Sequence, residues 1–124
     1  MERFLWVGFG GFLGSIARFG LASLVQERTQ SLFPWGTMTV NVIGCFLIGL
    51  LMTLFQERFT YAPHLRLFLV IGILGGFTTF SSFSYDTFAL LKSGQVTHAL
   101  LNAGLSLILC LIATWAGFWA GENL

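Results

Sequence analysis

Charged residues are scarce in this sequence: they make up 9% of its 124 residues, while 56% are apolar. A water-soluble domain of this composition would lack the polar side chains to cover its surface, so the apolar surface belongs in lipid rather than in a globular core. The net charge is only +1, which leaves no basic face for nucleic acid and no acidic block for a cationic partner. Cysteine is limited to two residues. Cys45 and Cys110 stand inside apolar runs with no cysteine or histidine nearby at ligand spacing, so they read as small packing residues rather than as a disulfide or a metal site. Also missing is any carboxylate or histidine near the middle of an apolar run. The ionisable groups within the runs are Arg18, towards the end of the first, and Asp86, towards the end of the third. Proton-coupled transport needs a titratable group where its substrate binds, and hydrolytic or redox chemistry would need a Ser/His/Asp set, a metal cluster or a nucleotide motif. The chain is therefore not expected to be an enzyme. Passive conduction or a structural role in the membrane is what the composition leaves.

What the sequence has in quantity is apolar length. A bilayer's hydrocarbon core asks for roughly 20 apolar residues per helix, and the segments from about Phe4 to Val25, Trp35 to Phe55, Leu65 to Leu91 and His98 to Ala120 meet this requirement. This predicts one all-α membrane domain over residues 1–124, with four transmembrane helices. The short connections make consecutive helices antiparallel neighbours. Met1-Glu2-Arg3 followed by an apolar run looks like the start of a signal peptide, but no small-residue cleavage pattern intervenes before spanning length is reached. The segment is expected to stay attached as the first span.

No internal repeat relates the first two spans to the last two. Inverted symmetry of the kind that larger transporters build into one chain would therefore need a second copy of this one. The basic residues bear on the same point. Arg3, Arg58 and Arg66 lie on one side of the membrane, and Arg28 and Lys92 on the other, where Arg18 joins them if it snorkels outward. The counts are three against three, or three against two. The positive-inside bias that orients most membrane proteins is nearly absent, so either subtler features orient the chain or it inserts both ways.

Several polar and small residues interrupt the apolar runs. Gly10, Gly14, Gly44, Gly72 and Gly76 fall where small residues let helix backbones approach closely in lipid. The third run contains Gly75-Gly76-Phe77-Thr78-Thr79-Phe80-Ser81-Ser82-Phe83-Ser84, a glycine pair followed by five hydroxyl residues. Such a stretch is poorly suited to a continuous helix, and the run is longer than a straight span requires. Two readings follow: a helix broken near its centre, exposing carbonyl oxygens that can coordinate ions, or a kinked helix whose hydroxyls bond back to their own carbonyls. Phe80 and Phe83 share a helical face, and an aromatic ring has a partial positive edge, so the pair is either ordinary packing or an edge-on surface for an anion. Asn41 is either interhelical glue or a donor lining a pore, since a lone amide in lipid needs partners. Asn102, Ser106, Cys110 and Thr114 recur every fourth residue and form a polar stripe, which is a wetted track or a helix seam.

Three of these stretches carry a family resemblance. Gly75 to Phe83, Gly36-Thr37 with Val40-Asn41 and Gly44, and Gly14-Ser15-Ile16-Ala17-Arg18 resemble the third-helix break, the start of the second helix and the first helix of the small bacterial fluoride channels, the Fluc or CrcB proteins. The resemblance covers nearly the whole chain. It implies an antiparallel, dual-topology homodimer in the bacterial inner membrane, carrying fluoride passively through two pathways at the subunit interface. It further implies that Phe80 and Phe83 meet the anion edge-on, that Asn41 is a donor beside them with Thr79 and Ser81 close by, and that Ser106 and Thr114 belong to the polar track. Cys110 stands in that track where the family has a hydroxyl. Carbonyls of Gly75 and Thr78 from both copies would hold a structural sodium ion. Small multidrug exporters share the size and span count, but that class needs a glutamate embedded in the first span; Glu2 and Glu27 flank the run instead. A non-transporting membrane assembly subunit, with the glycines and stripe only packing, is the other alternative.

Overall fold

The computed structural model describes all 124 residues, Met1–Leu124, and contains helices and connecting turns only. Helix α1 runs Glu2–Thr29 and α2 runs Trp35–Glu57. The third span is assembled from pieces: α3 (Pro63–Arg66), a π-helical segment (Leu67–Leu74), α4 (Gly75–Phe77), two extended residues, and α5 (Phe80–Lys92). Helix α6 covers Val96–Asn123. The four stretches Glu2–Thr29, Trp35–Glu57, Pro63–Lys92 and Val96–Asn123 are long and apolar enough to cross a bilayer, so the chain is a multi-pass membrane protein. The helices outlast the apolar runs because their polar flanks keep helical geometry. Thus α1 continues through Gln26-Glu27-Arg28 and stops at Gln30, whose φ of 46° is left-handed and whose N–H closes onto the Gln26 carbonyl. Gln26 then ties down the turn that follows: its amide donates to the Ser31 and Phe33 carbonyls at 2.7 and 3.2 Å and accepts from the Gly36 N–H at 3.1 Å.

Consecutive helices do not dominate the packing. The broadest interface is between α2 and α6, the next between α1 and the π-helical segment, while α2 touches the third span only lightly. Close approach explains both main pairings. A Cβ on Gly49 of α2 would strike the Thr114 carbonyl of α6, and one on Gly117 of α6 would strike the Phe46 carbonyl of α2. On the other side, a Cβ on Gly10 would meet the Phe68 carbonyl and one on Gly14 the Ile73 carbonyl. Gly10 and Gly14 are the only buried residues of α1. The rest of that helix offers Phe4, Phe9, Phe12, Ile16 and Phe19 outward, as a lipid-facing surface should. Glycine is selected at these contacts because backbone-to-backbone dispersion and weak polar contacts hold helices together where no water drives them.

The third span is broken, as the hydroxyl-rich stretch suggested, but not at its glycines. Gly75 and Gly76 remain helical, and the chain becomes extended at Thr78 (φ −87°, ψ 152°) and Thr79 (φ −148°, ψ 115°). Gly76 is needed for contact instead: a Cβ there would lie 2.6 Å from the Gly11 carbonyl of α1.

Candidate functional site

An unwound backbone inside a bilayer must have its polar groups satisfied by protein, and three side chains do so here. Asn41, on α2, faces the break and pairs with Thr79 in both directions: its Oδ1 accepts the Thr79 N–H at 2.8 Å and its Nδ2 donates to the Thr79 carbonyl at 3.0 Å. The Arg18 side chain, from α1, donates through Nε to the Gly76 carbonyl at 3.0 Å. Thr79 then caps α5, its hydroxyl accepting the Ser82 N–H at 3.1 Å, which gives a partner to one of the N–H groups that a helix start otherwise leaves unpaired. Gly44 lies one turn along α2 from Asn41, and a Cβ there would strike the Thr78 methyl. Asn41 and Gly44 therefore act as a unit, the first holding the extended strand and the second making room for it.

Both earlier readings of Asn41 now acquire a geometric basis. The amide is glue between α2 and the break, and it also borders a cavity. This cavity, of about 280 Å³, is lined by Asn41 and Cys45 from α2, by Thr78, Thr79, Phe80 and Phe83 from the break and α5, and by Ser106, Leu107 and Cys110 from α6. None of the lining residues carries a formal charge. The Phe80 and Phe83 rings lie 5.4 Å apart with planes inclined at 44°, and Phe80 is 80% exposed on the isolated chain. A large apolar side chain left this open beside polar backbone suits a surface that another molecule completes.

Ser106 is positioned by a chain of hydrogen bonds between α6 and α5. Its hydroxyl donates to Asn102 Oδ1 at 3.3 Å, Asn102 Nδ2 donates to the Thr87 hydroxyl at 2.9 Å, and that hydroxyl donates to the Phe83 carbonyl at 2.8 Å. Asn102 is 2% exposed, so the upper part of the polar stripe is a helix seam that also sets the backbone of Phe83. The Ser106 bond is the longest of the three. An acceptor entering the cavity could compete for that proton more easily than for the others.

The expected site residues separate into two groups. The structure brings Asn41, Thr78, Thr79, Phe80, Phe83 and Ser106 together around the cavity. Ser81 and Thr114 do not line it. The Ser81 hydroxyl points instead to Thr79 Oγ1 at 3.2 Å, and Thr114 returns its proton to the Cys110 carbonyl one turn back at 3.0 Å. Gly75 sits outside the cavity with open space where a Cβ would be. Arg18, whose role hydropathy left open, is turned onto the break rather than outward, so the basic residues at the two ends of the spans stand three against two. Two features had no sequence signal. Thr37 donates to Asp86 Oδ2 at 2.7 Å, joining α2 to α5. Cys45 and Cys110, read above as separate packing residues, are neighbours in one cavity.

The helices and this uncharged, hydroxyl- and aromatic-lined cavity define a class: a small multi-pass membrane protein built around a broken span. The profile of the family described as "CrcB-like protein, Camphor Resistance (CrcB)" matches residues 5–118, and the chain belongs to that family. It is 51% identical over 124 residues to a "Fluoride-specific ion channel FluC" of Thermus thermophilus, covering 100% of this chain and 98% of that one. It is 48% identical over 124 residues to the protein of the same name from Geobacter sulfurreducens, covering all of both chains. Over 117 residues it is 46% identical to the one from Hydrogenovibrio crunogenus, covering 94% of this chain and 89% of that protein.

Proposed function

We propose that this chain is a passive fluoride channel, not an enzyme, and that it works in the inner membrane of a bacterium. The observation that carries the proposal is the convergence of Asn41, Phe80, Phe83 and Ser106 on one uncharged cavity at the break. A bare anion crossing a membrane loses its hydration, and only donors or positive ring edges can replace it. A fixed positive charge would do so too strongly for rapid release. Weakly polar ring edges and a weakly held hydroxyl proton suit a small hard anion that must both bind and leave. Export needs no coupled energy source. Hydrogen fluoride enters as a neutral weak acid and dissociates in a near-neutral cytoplasm, while an inside-negative potential supplies roughly 2.3 kcal/mol per charge per 100 mV to drive the anion out.

In this reading two copies associate antiparallel, and each interface groove becomes a pathway. The family and the named relatives support the fluoride assignment, and the exposure of Phe80 supports a covering second copy. Thr79 lines the cavity already, whereas Ser81 and Thr114 belong to the pathway only if the partner extends the cavity towards them. The Gly75 and Thr78 carbonyls fit a structural sodium ion. With the Thr79 N–H committed to Asn41, the Gly75 carbonyl loses the donor that a continuous helix would give it. The extended ψ of Thr78 turns its carbonyl away from the helical direction. Carbonyl oxygens are hard donors suited to a hard cation, which would hold the breaks of the two copies together.

The decisive test is fluoride release from proteoliposomes, followed with a fluoride electrode after a potassium ionophore relieves the charge imbalance. Release well above protein-free vesicles is expected, and protein purified with a large organic cation in place of sodium should release less or fall apart into monomers. Absence of release sinks the channel reading, while full activity and an intact dimer without sodium remove the structural ion. Dual insertion predicts that reporters fused to the C-terminus will read both sides of the membrane at comparable levels. A single orientation would exclude the antiparallel dimer.

A further inference from the structure

Cys45 and Cys110 come from the two helices that pack most extensively, α2 and α6, and both line the cavity at the break. They are free thiols and each is partly accessible. Each stands four residues before a member of the Gly49–Thr114 backbone contact, so the register of the two helices sets them at the same level. Two thiols on rigid, separately anchored helices, opening into one cavity of about 280 Å³, form a ligand pair rather than two isolated packing residues. Cys110 also lies one helical turn beyond Ser106 on the same face of α6, so an ion held by the pair would sit beside the Phe80 and Phe83 rings.

We propose that Cys45 and Cys110 together form a binding site for a soft divalent d10 cation of the mercury(II) class, and that its occupancy blocks the cavity. Ligand number and charge select this class. Hard cations prefer oxygen donors, and zinc takes four ligands in closed protein sites. No group of three or more histidine, cysteine or carboxylate side chains exists to supply such a set. Mercury(II) is satisfied by two sulfur ligands. On binding, each S–H bond is broken and its proton passes to water, two S–Hg bonds form, and no electron is transferred: one Hg²⁺ and two thiols give a neutral dithiolate and two protons. Neutrality matters at this depth, because a charged product would be costly to keep inside a membrane. Silver(I) or copper(I) on the same two sulfurs would leave one net negative charge and is disfavoured for that reason. The blocking part of the proposal rests on the channel reading above, whereas the binding part does not.

The test has two independent arms. In detergent, the purified full-length protein is titrated with mercuric chloride, and the remaining thiols are counted with a chromogenic disulfide reagent. One equivalent of mercury per chain should remove both thiols at once, and Cys45→Ser or Cys110→Ser should each leave a thiol that mercury holds weakly and a small competing thiol strips away. A requirement for two equivalents, one per thiol, overturns the site. In proteoliposomes, mercuric chloride should stop fluoride release by the unaltered chain, with recovery on adding dithiothreitol. Each serine variant is compared with its own metal-free rate and should lose most of that sensitivity. Equal block of the doubly substituted chain shows that mercury acts elsewhere and overturns the proposal. If the thiol count is met but no metal-free release is seen at all, the fluoride reading fails and the metal site stands.

Discussion

Replacing Phe83 or Phe80 with isoleucine should slow fluoride release by about a hundredfold or more, equivalent to at least ~2.7 kcal/mol of added barrier, while the protein elutes from gel filtration at the position of the unaltered chain. The exchange keeps apolar bulk, so its packing cost is modest, and Phe80 in particular is little buried within its own chain. What disappears is the ring quadrupole. The two rings lie 5.4 Å apart and inclined at 44° beside the break, so an anion passing beside them would lose the positive edges that can stand in for water. Methionine, with a polarisable sulfur, should recover part of the rate. Normal release by both isoleucine variants would make these residues ordinary packing and leave the Ser106 side of the cavity as the route. The variants should be measured separately, because the hydrogen-bond chain through Thr87 and Asn102 fixes only the backbone of Phe83.

Asn41 should show the second large effect, with two substitutions that fail differently. Leucine removes both bonds to Thr79 and leaves an N–H and a carbonyl unpaired at the break. Each such group costs about 1–3 kcal/mol when buried, so Asn41→Leu should lose yield and thermal stability together with fluoride release. Aspartate keeps an acceptor for the Thr79 N–H but cannot donate to the Thr79 carbonyl, and it adds a negative charge to an otherwise uncharged cavity. Two like charges at 4 Å repel by roughly 4 kcal/mol at an effective dielectric constant of 20. Asn41→Asp should therefore retain more folded protein than leucine while conducting no better. Thermal denaturation followed by gel filtration separates the stability effect from the rate effect. If Asn41→Leu folds as well as the unaltered chain, the Asn41–Thr79 pair is not what supports the break.

The location of the break illustrates how far local reasoning reaches. Glycine pairs and hydroxyl residues weaken a helix wherever they occur, because the cause is local backbone entropy and competing hydrogen bonds. That explains why the third run could be recognised as discontinuous. It does not decide which residue unwinds. Gly76 stays helical because it is pressed against the Gly11 carbonyl, and Thr79 unwinds because Asn41, from a different helix, offers it a donor and an acceptor together.

By itself the sequence determined the number of spans, their approximate ends, the discontinuity in the third, and five of the glycines at which helices meet, Gly10, Gly14, Gly44, Gly72 and Gly76, but not Gly49 or Gly117 of the α2–α6 contact. Each of these follows from hydropathy or from residue size, which act over a few neighbouring positions. Tertiary structure decided which helices pair and how each is rotated about its axis. In α6 the polar stripe from Asn102 to Cys110 marks the inner side, but α1 and α2 are apolar on nearly every face, so how they sit against their neighbours is set by backbone contacts such as Gly49 with the Thr114 carbonyl and Gly117 with the Phe46 carbonyl. Those contacts turn Ser106 and Cys110 into the cavity while Thr114 bonds back to its own helix, bring Cys45 beside Cys110, and fold Arg18 onto the Gly76 carbonyl. None of these juxtapositions is encoded at short range, because each requires two helices to be in place before its partners can meet.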